Sequence, residues 1–307
     1  MLNRLHRYIH RDGGFKVSIV NATRVGQDLF KRLQPQPIAL QLITQAAAGA
    51  LLLSTSLKDE GTILLRVDGD GPLGFLTAEA NTRGTVRGMA GNLDTDFEVD
   101  PQKGLFQQAL GAGRLTVKRC VKPSDKVFSS VVDLSAGEMA HNLANYLLQS
   151  EQIPSALQLG ALLDPHTGIR GAGGIFIQAL PNSDANLLFI LEERLKELPA
   201  LGSIFSDENG HREIISYLFD DIPVKQLKVT ETVYRCNCSF ERIVRGISAL
   251  PHQELEEMQR ENRVFEIRCS FCNKAYQLGT AELNQIIELK VQDATNRAAT
   301  GHSAGKA

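Results

Sequence analysis

The chain has 307 residues, 33 basic and 35 acidic side chains, a formal charge of −2, and 43% hydrophobic residues. This is the composition of a folded globular protein of about two domains, without the basic excess that a long nucleic-acid footprint or an anionic membrane surface demands. Five cysteines are few for a disulfide-built secreted fold, and the start, Met1-Leu2-Asn3-Arg4-Leu5-His6-Arg7, is too polar for a secretory signal. The chain is therefore expected to stay where it is made.

In chain order, Phe15, Val17 and Ile19 recur at the strand period of two. The apolar window Ile38 to Leu57 approaches the length of a membrane span, but it contains Gln41, Thr44, Gln45, Ser54, Thr55 and Ser56. Two glutamines in lipid are costly, so the window predicts a buried core helix and no membrane association. Strand patterns follow at Thr62 to Val67, Leu73 to Ala78, Gly84 to Ala90, Arg114 to Val121, Lys126 to Asp133 and Gly174 to Leu180. A helix pattern at Ser135 to Gln149 has Ser135 placed to cap it and Glu138 three residues later, as in a capping box. These elements predict an α+β fold whose sheet-rich N-terminal core domain spans residues 1–182.

Residues 183–233 carry 5 basic and 10 acidic side chains and form an acidic segment between two nearly balanced flanks. Residues 183–219 read as helical, with Leu187, Leu188, Ile190, Leu191, Leu195 and Leu198 on an apolar face. A second short helix, Asn209 to Phe219, presents Ile214, Ile215, Leu218 and Phe219. Helices this short do not stand alone, so they are expected to lie on the sheet domain as a metastable helical linker. A small C-terminal four-cysteine domain is expected at residues 234–291, and a disordered tail at 292–307.

Gly69-Asp70-Gly71-Pro72-Leu73-Gly74 matches the dinucleotide fingerprint in letters, but a strand follows it where a phosphate-binding helix would have to begin. A hairpin turn is the better reading. Gly171-Ala172-Gly173-Gly174 likewise opens a strand. The specific signal is Cys236-Asn237-Cys238, thirty residues, then Cys269-Ser270-Phe271-Cys272. Two close thiol pairs are what a tetrahedral zinc site needs, and a closed, purely structural site is the commoner use of four cysteines. Arg235, Arg268 and Lys274 adjoin the pairs, and nearby cations hold thiolates in the ionised form that oxidants attack.

His252-Gln253-Glu254 followed by Cys269 and Cys272 suggests a deaminase-type zinc site, but Arg268 stands where that signature has proline, and Cys236 and Cys238 would have no role. Cys120, in the strand pattern Leu115 to Val121, reads as a small core hydrophobe. No nucleophile, base and orienting acid can be named, so no catalytic residue is expected and the protein reads as a non-enzyme.

Taken with the motifs Ser150-Glu151-Gln152-Ile153-Pro154 and Gly173-Gly174-Ile175-Phe176-Ile177-Gln178-Ala179-Leu180-Pro181, the glycine turn and the four-cysteine pattern with its one-residue first gap, the chain closely resembles the heat-shock protein 33 family of redox-regulated holdase chaperones. The resemblance implies a cytoplasmic protein whose reduced, inactive form binds one zinc per chain through Cys236, Cys238, Cys269 and Cys272. It implies that oxidants join Cys236 with Cys238 and Cys269 with Cys272 as disulfides and release the metal. The C-terminal domain and linker would then unfold, and the protein, commonly a homodimer when oxidised, would hold unfolding client proteins without ATP. The alternative is a structural zinc-ribbon module in a nucleic-acid or translation complex. Residues 234–307 carry only 10 basic against 9 acidic side chains, with no basic stripe beside their aromatics, so nucleic acid is not expected.

Overall fold

A computed structural model of the chain describes residues 3–123, 126–181, 183–288 and 290, and the expected tail at 292–307 lies outside them. The chain divides into two compact units, Met1–Arg235 and Cys236–Ala307.

The first unit is built on two sheets. One contains β1 (Arg4–His10), β2 (Phe15–Asn21), β8 (Ser155–Asp164), β9 (Gly168–Ala179) and β10 (Val224–Glu231), in the order β10-β1-β2-β9-β8 and antiparallel throughout. The other contains β3 (Gly61–Gly69), β4 (Phe75–Asn81), β5 (Thr85–Ala90), β6 (Gly113–Val121), β7 (Lys126–Asp133) and the two-residue β11 (Val233–Tyr234), in the order β11-β5-β4-β3-β6-β7. Helix α1 (Thr23–Leu33) follows β2, and α2 (Pro37–Ser54) packs against strands of both sheets. Sixteen of the 18 residues of α2 are buried, so the most apolar window of the sequence is the central core helix. Its few polar groups are answered locally: the Thr44 hydroxyl donates to the Leu40 carbonyl at 2.7 Å.

The glycine fingerprint forms the turn from β3 to β4, where the Gly69 N–H donates to the Gly74 carbonyl and Gly74 takes φ +72°. A Cβ on Gly69 or Gly71 would run into the backbone of Ala109 and Leu110, the end of α3 (Leu105–Leu110). These glycines serve close backbone packing, not a phosphate.

Helix α4 (Met139–Glu151) does not start as expected. Glu138 itself occupies the N-cap and there is no side-chain cap, so the capping box at Ser135 and Glu138 is absent. Gly137, at φ +120°, turns the chain between Ser135 and the helix. Asn142 takes over the role by reaching back, accepting from the Ser135 N–H at 2.9 Å and donating to the Glu138 carbonyl at 3.1 Å. Cys120 also departs from the core reading: in β6 it is only half-buried, because β7, the partner of β6, is a largely exposed edge strand.

The acidic segment is helical only as far as Phe219. It forms α5 (Ala185–Glu197), α6 (Leu201–Ile204) and α7 (Gly210–Phe219), and then enters the five-stranded sheet as edge strand β10. Exposure along most of β10 erased the alternation by which a strand would have been read, and so the helical linker expected to reach 233 ends in a strand. The three helices cover one apolar face of that sheet: Leu191, Leu195, Leu198, Leu201, Ile204, Phe205, Ile214, Leu218 and Phe219 pack with Tyr8, Phe15, Val17, Ile19, Ile175 and Ile177. Of the expected face, Ile190 instead points outward at 43% exposed. The glycine run of β9 explains the intimacy of this docking. A Cβ on Gly171 would collide with the Gly202 carbonyl, and one on Gly173 with the Phe205 ring.

The second unit consists of α8 (Phe240–Ser248), α9 (His252–Arg260), the hairpin of β12 (Phe265–Arg268) and β13 (Ala275–Leu278), and a helical stretch at 280–288. Its buried core is Ile247, Leu255, Leu278, Leu283 and Ile286. So small a core supplies little folding free energy by itself.

Candidate metal centre

The four cysteines come from two short pieces of backbone in the second unit. Cys236 and Cys238 lie in the extended segment before α8, whose N-cap Ser239 accepts from the Arg242 N–H and so fixes where the helix begins. Cys269 and Cys272 sit in the loop between β12 and β13. There the Cys272 and Asn273 N–H groups donate to the Cys269 carbonyl at 3.2 and 2.8 Å, and the Cys269 N–H donates to the Lys274 carbonyl at 3.0 Å. Asn273 closes the loop at φ 58°, a left-handed conformation that asparagine tolerates better than most residues. The loop thereby turns both sulfurs to one side.

All four Sγ atoms lie within 4.8 Å of one another, with Cys236 and Cys269 at 3.7 Å and Cys238 and Cys272 at 3.4 Å. A tetrahedral ion with metal–sulfur bonds near 2.3 Å would hold its sulfurs about 3.8 Å apart, so the cluster has the dimensions for one metal ion. Among the described residues it is the one grouping of metal-binding side chains. Cys269 is buried and the other three are half-buried, an environment that shields the site without sealing it from small oxidants.

The thiols are not equivalent. Burial pushes Cys272 up to about 12 and also raises Cys236. Cys238 is held down to about 7: burial opposes this, but the Tyr276 hydroxyl, 3.1 Å away, and the neighbouring thiols donate to its sulfur. Tyr276 is a partner that spacing alone could not single out, because its role depends on β13 returning alongside β12. A divalent cation at the centre would draw the protons from all four sulfurs.

The charged neighbours read from the sequence are arranged differently. Arg268 donates to Glu266 at 2.8 Å, Lys274 lies over the Tyr276 ring at 5.1 Å, and Arg235 belongs to the first unit, where its N–H donates to the Val86 carbonyl. His252 is not brought to the cysteines. It begins α9, with Nε2 3.2 Å from Glu256, so the deaminase-type ligand set does not assemble. Cys120, in the first unit, takes no part either.

A family model described as Hsp33 protein matches residues 3–279. The 33 kDa chaperonin of Desulforamulus reducens is 32% identical over 289 residues, which span 94% of this chain and 98% of that protein. The 33 kDa chaperonin of Gloeothece citriformis is 34% identical over 296 residues, spanning 94% and 98%. The crystal structure of the 33 kDa chaperonin (heat shock protein 33 homolog) from Thermotoga maritima matches with a TM-score of 0.83 at 27% identity, over 95% of this chain and all of that one.

Proposed function

The chain belongs to the Hsp33 family of chaperones, and from that premise we propose that it is a redox-switched, ATP-independent holdase of the cytoplasm. In the reduced form Cys236, Cys238, Cys269 and Cys272 hold one zinc ion, and the protein is inactive. The observation that carries this reading is the cluster itself: four sulfurs within 4.8 Å of one another, in a unit whose buried core numbers five residues. Structural zinc contributes on the order of 10 kcal/mol or more to folding, so the metal decides whether such a unit is folded.

Oxidation pairs Cys236 with Cys238 and Cys269 with Cys272. Each thiolate pair gives two electrons to one peroxide, whose O–O bond breaks, and with two protons from solvent the products are one disulfide and two waters. Two such events leave no thiolate to bind the metal. The second unit then unfolds, α5 to α7 leave the five-stranded sheet, and the apolar face they cover becomes available to unfolding client proteins. The oxidised protein works as a homodimer. The docking of these helices on that face supports the reading, because a holdase needs a large apolar surface that is hidden at rest.

The test is zinc release, followed with a chromogenic chelator, beside suppression of aggregation of a thermally unfolding client, before and after peroxide at elevated temperature. Both should rise together and reverse with reductant and zinc. Oxidised protein that keeps its metal, or loses it without gaining holding activity, leaves a purely structural metal site as the better account.

A further inference from the structure

Tyr276 is held in place by the fold of the second unit. It lies on β13 two residues before Leu278, so both side chains stand on one face of the hairpin, and Leu278 is fully buried in the core of the unit. Its register partner across the hairpin is Ile267, which packs against the same core. The backbone that carries Cys269 and Cys272 thus continues into a strand whose half-buried ring reaches a cysteine of the other pair. The Tyr276 hydroxyl ends 3.1 Å from the Cys238 sulfur and donates to it. Lys274, two residues earlier, holds its ammonium over the same ring at 5.1 Å. A cation on the ring face draws electron density from the phenol and makes its O–H a stronger donor.

This bond acts on the electrons that oxidation uses. A metal-bound cysteine sulfur is a thiolate, and one of its lone pairs attacks peroxide: the S–O bond forms, the O–O bond breaks and hydroxide leaves, giving a sulfenic acid. The neighbouring thiolate then attacks that sulfur, the S–S bond forms and a second hydroxide leaves. An O–H donated to sulfur engages a lone pair and offsets part of the negative charge, so Cys238 is the poorer nucleophile in either step while the hydroxyl is in place. The same bond also ties the segment before α8 to the hairpin. The two effects differ in consequence, since a tie resists every route of metal loss and a brake on the sulfur resists only the oxidative one.

We propose that Tyr276 is a positioning residue of the redox switch. Its hydroxyl holds back the reaction of Cys238 with peroxide and so sets the oxidant level at which the metal centre opens, and Lys274 strengthens that hold. This role rests on the zinc reading above, and the experiment separates the two.

Reduced, zinc-loaded full chain, wild type and Y276F, is treated with hydrogen peroxide at fixed pH and temperature while zinc release is followed with a chromogenic chelator; release driven by excess EDTA without oxidant is followed in parallel. Y276F keeps the ring and loses only the donor. It should carry one zinc per chain with unchanged circular dichroism, release it to peroxide roughly two- to tenfold faster than wild type, the effect of one net hydrogen bond, and release it to EDTA at the wild-type rate. Sulfenic acid trapped with dimedone after a short peroxide pulse should rise at Cys238 in the same proportion. In cobalt-loaded protein the sulfur-to-metal charge-transfer band should move to longer wavelength in Y276F, a change that a purely structural tie does not produce. K274Q leaves the hydroxyl in place and should give the same changes at about twofold, and it carries the test if Y276F does not hold its metal. Equal peroxide rates in wild type and Y276F overturn the proposal, and so does an acceleration that EDTA release matches. Wild type without bound metal refutes the zinc reading and the role of Tyr276 with it, whereas metal-loaded wild type that neither substitution sensitises to peroxide refutes the role of Tyr276 alone.

Discussion

Phe205, at the end of α6, is fully buried against the five-stranded sheet, with its ring over Gly173 and its carbonyl accepting from the Thr23 hydroxyl at 3.2 Å. Truncation to alanine removes a phenylalanine that is completely buried in that face, where Phe219 keeps 5% of its surface exposed. The glycine floor beneath it cannot fill the void, so a cost at the ordinary value for a buried phenylalanine, about 3–5 kcal/mol, is expected. If the helices open as a unit separate from the sheet, that cost appears as a rise of roughly two to three and a half orders of magnitude in the open population. Hydrogen exchange of the reduced, zinc-loaded F205A protein should therefore accelerate in α5 to α7 well before β2 and β9, and the variant should suppress client aggregation without peroxide while retaining its zinc. The control is F106A, an equally buried truncation outside that cluster, which should destabilise without activating. If F205A speeds exchange equally across helices and sheet, the two form one cooperative unit and the reasoning fails.

C120S should still carry one zinc per chain by metal analysis, whereas C236S with C238S should lose it and leave residues 236–288 unprotected in hydrogen exchange. Acid should loosen α7. His6 is depressed from 6.5 to about 4 on folding, so the unfolded or undocked form binds its proton more readily; the stability contributed by the neutral ring is complete above pH 6.5 and is lost as pH falls from there toward 4. H6Q should flatten that loss in a thermal denaturation series taken across the same window.

The candidate site was legible from the sequence because metal chemistry is written in residue type and spacing: Cys236, Cys238, Cys269 and Cys272 converge as their pairs suggested. The strands whose inner faces are apolar and outer faces polar were legible for a similar reason, as in Phe15, Val17 and Ile19. What could not be read were elements whose pattern depends on their neighbours. β1 buries His6 beside Leu5 and so breaks alternation, and β10 lies on a sheet edge with most of its side chains in water. Ser135 looked like a cap until Gly137 turned the chain away from it and Asn142 supplied the hydrogen bonds. The stacked His6 and His211 rings are over 200 residues apart, and no local rule brings them together.

Connectivity orders the proposed switch. Cys236 follows β11 after one residue, and β11 is only two residues long, held to β5 by the Val233 N–H on the Gly84 carbonyl and the Arg235 N–H on the Val86 carbonyl, with Tyr234 buried and Arg32 over its ring at 5.1 Å. Once the chain from Cys236 onward is no longer held by metal, so short a strand is the first element to fray. Behind it is β10, an edge strand that pairs with β1 alone, across an irregularity between Arg7 and Tyr8. Loss of β10 leaves α7 held by its apolar contacts, by the Arg194 bridge to Asp221 and the Leu218 carbonyl, and by its contact with the His6 face of β1.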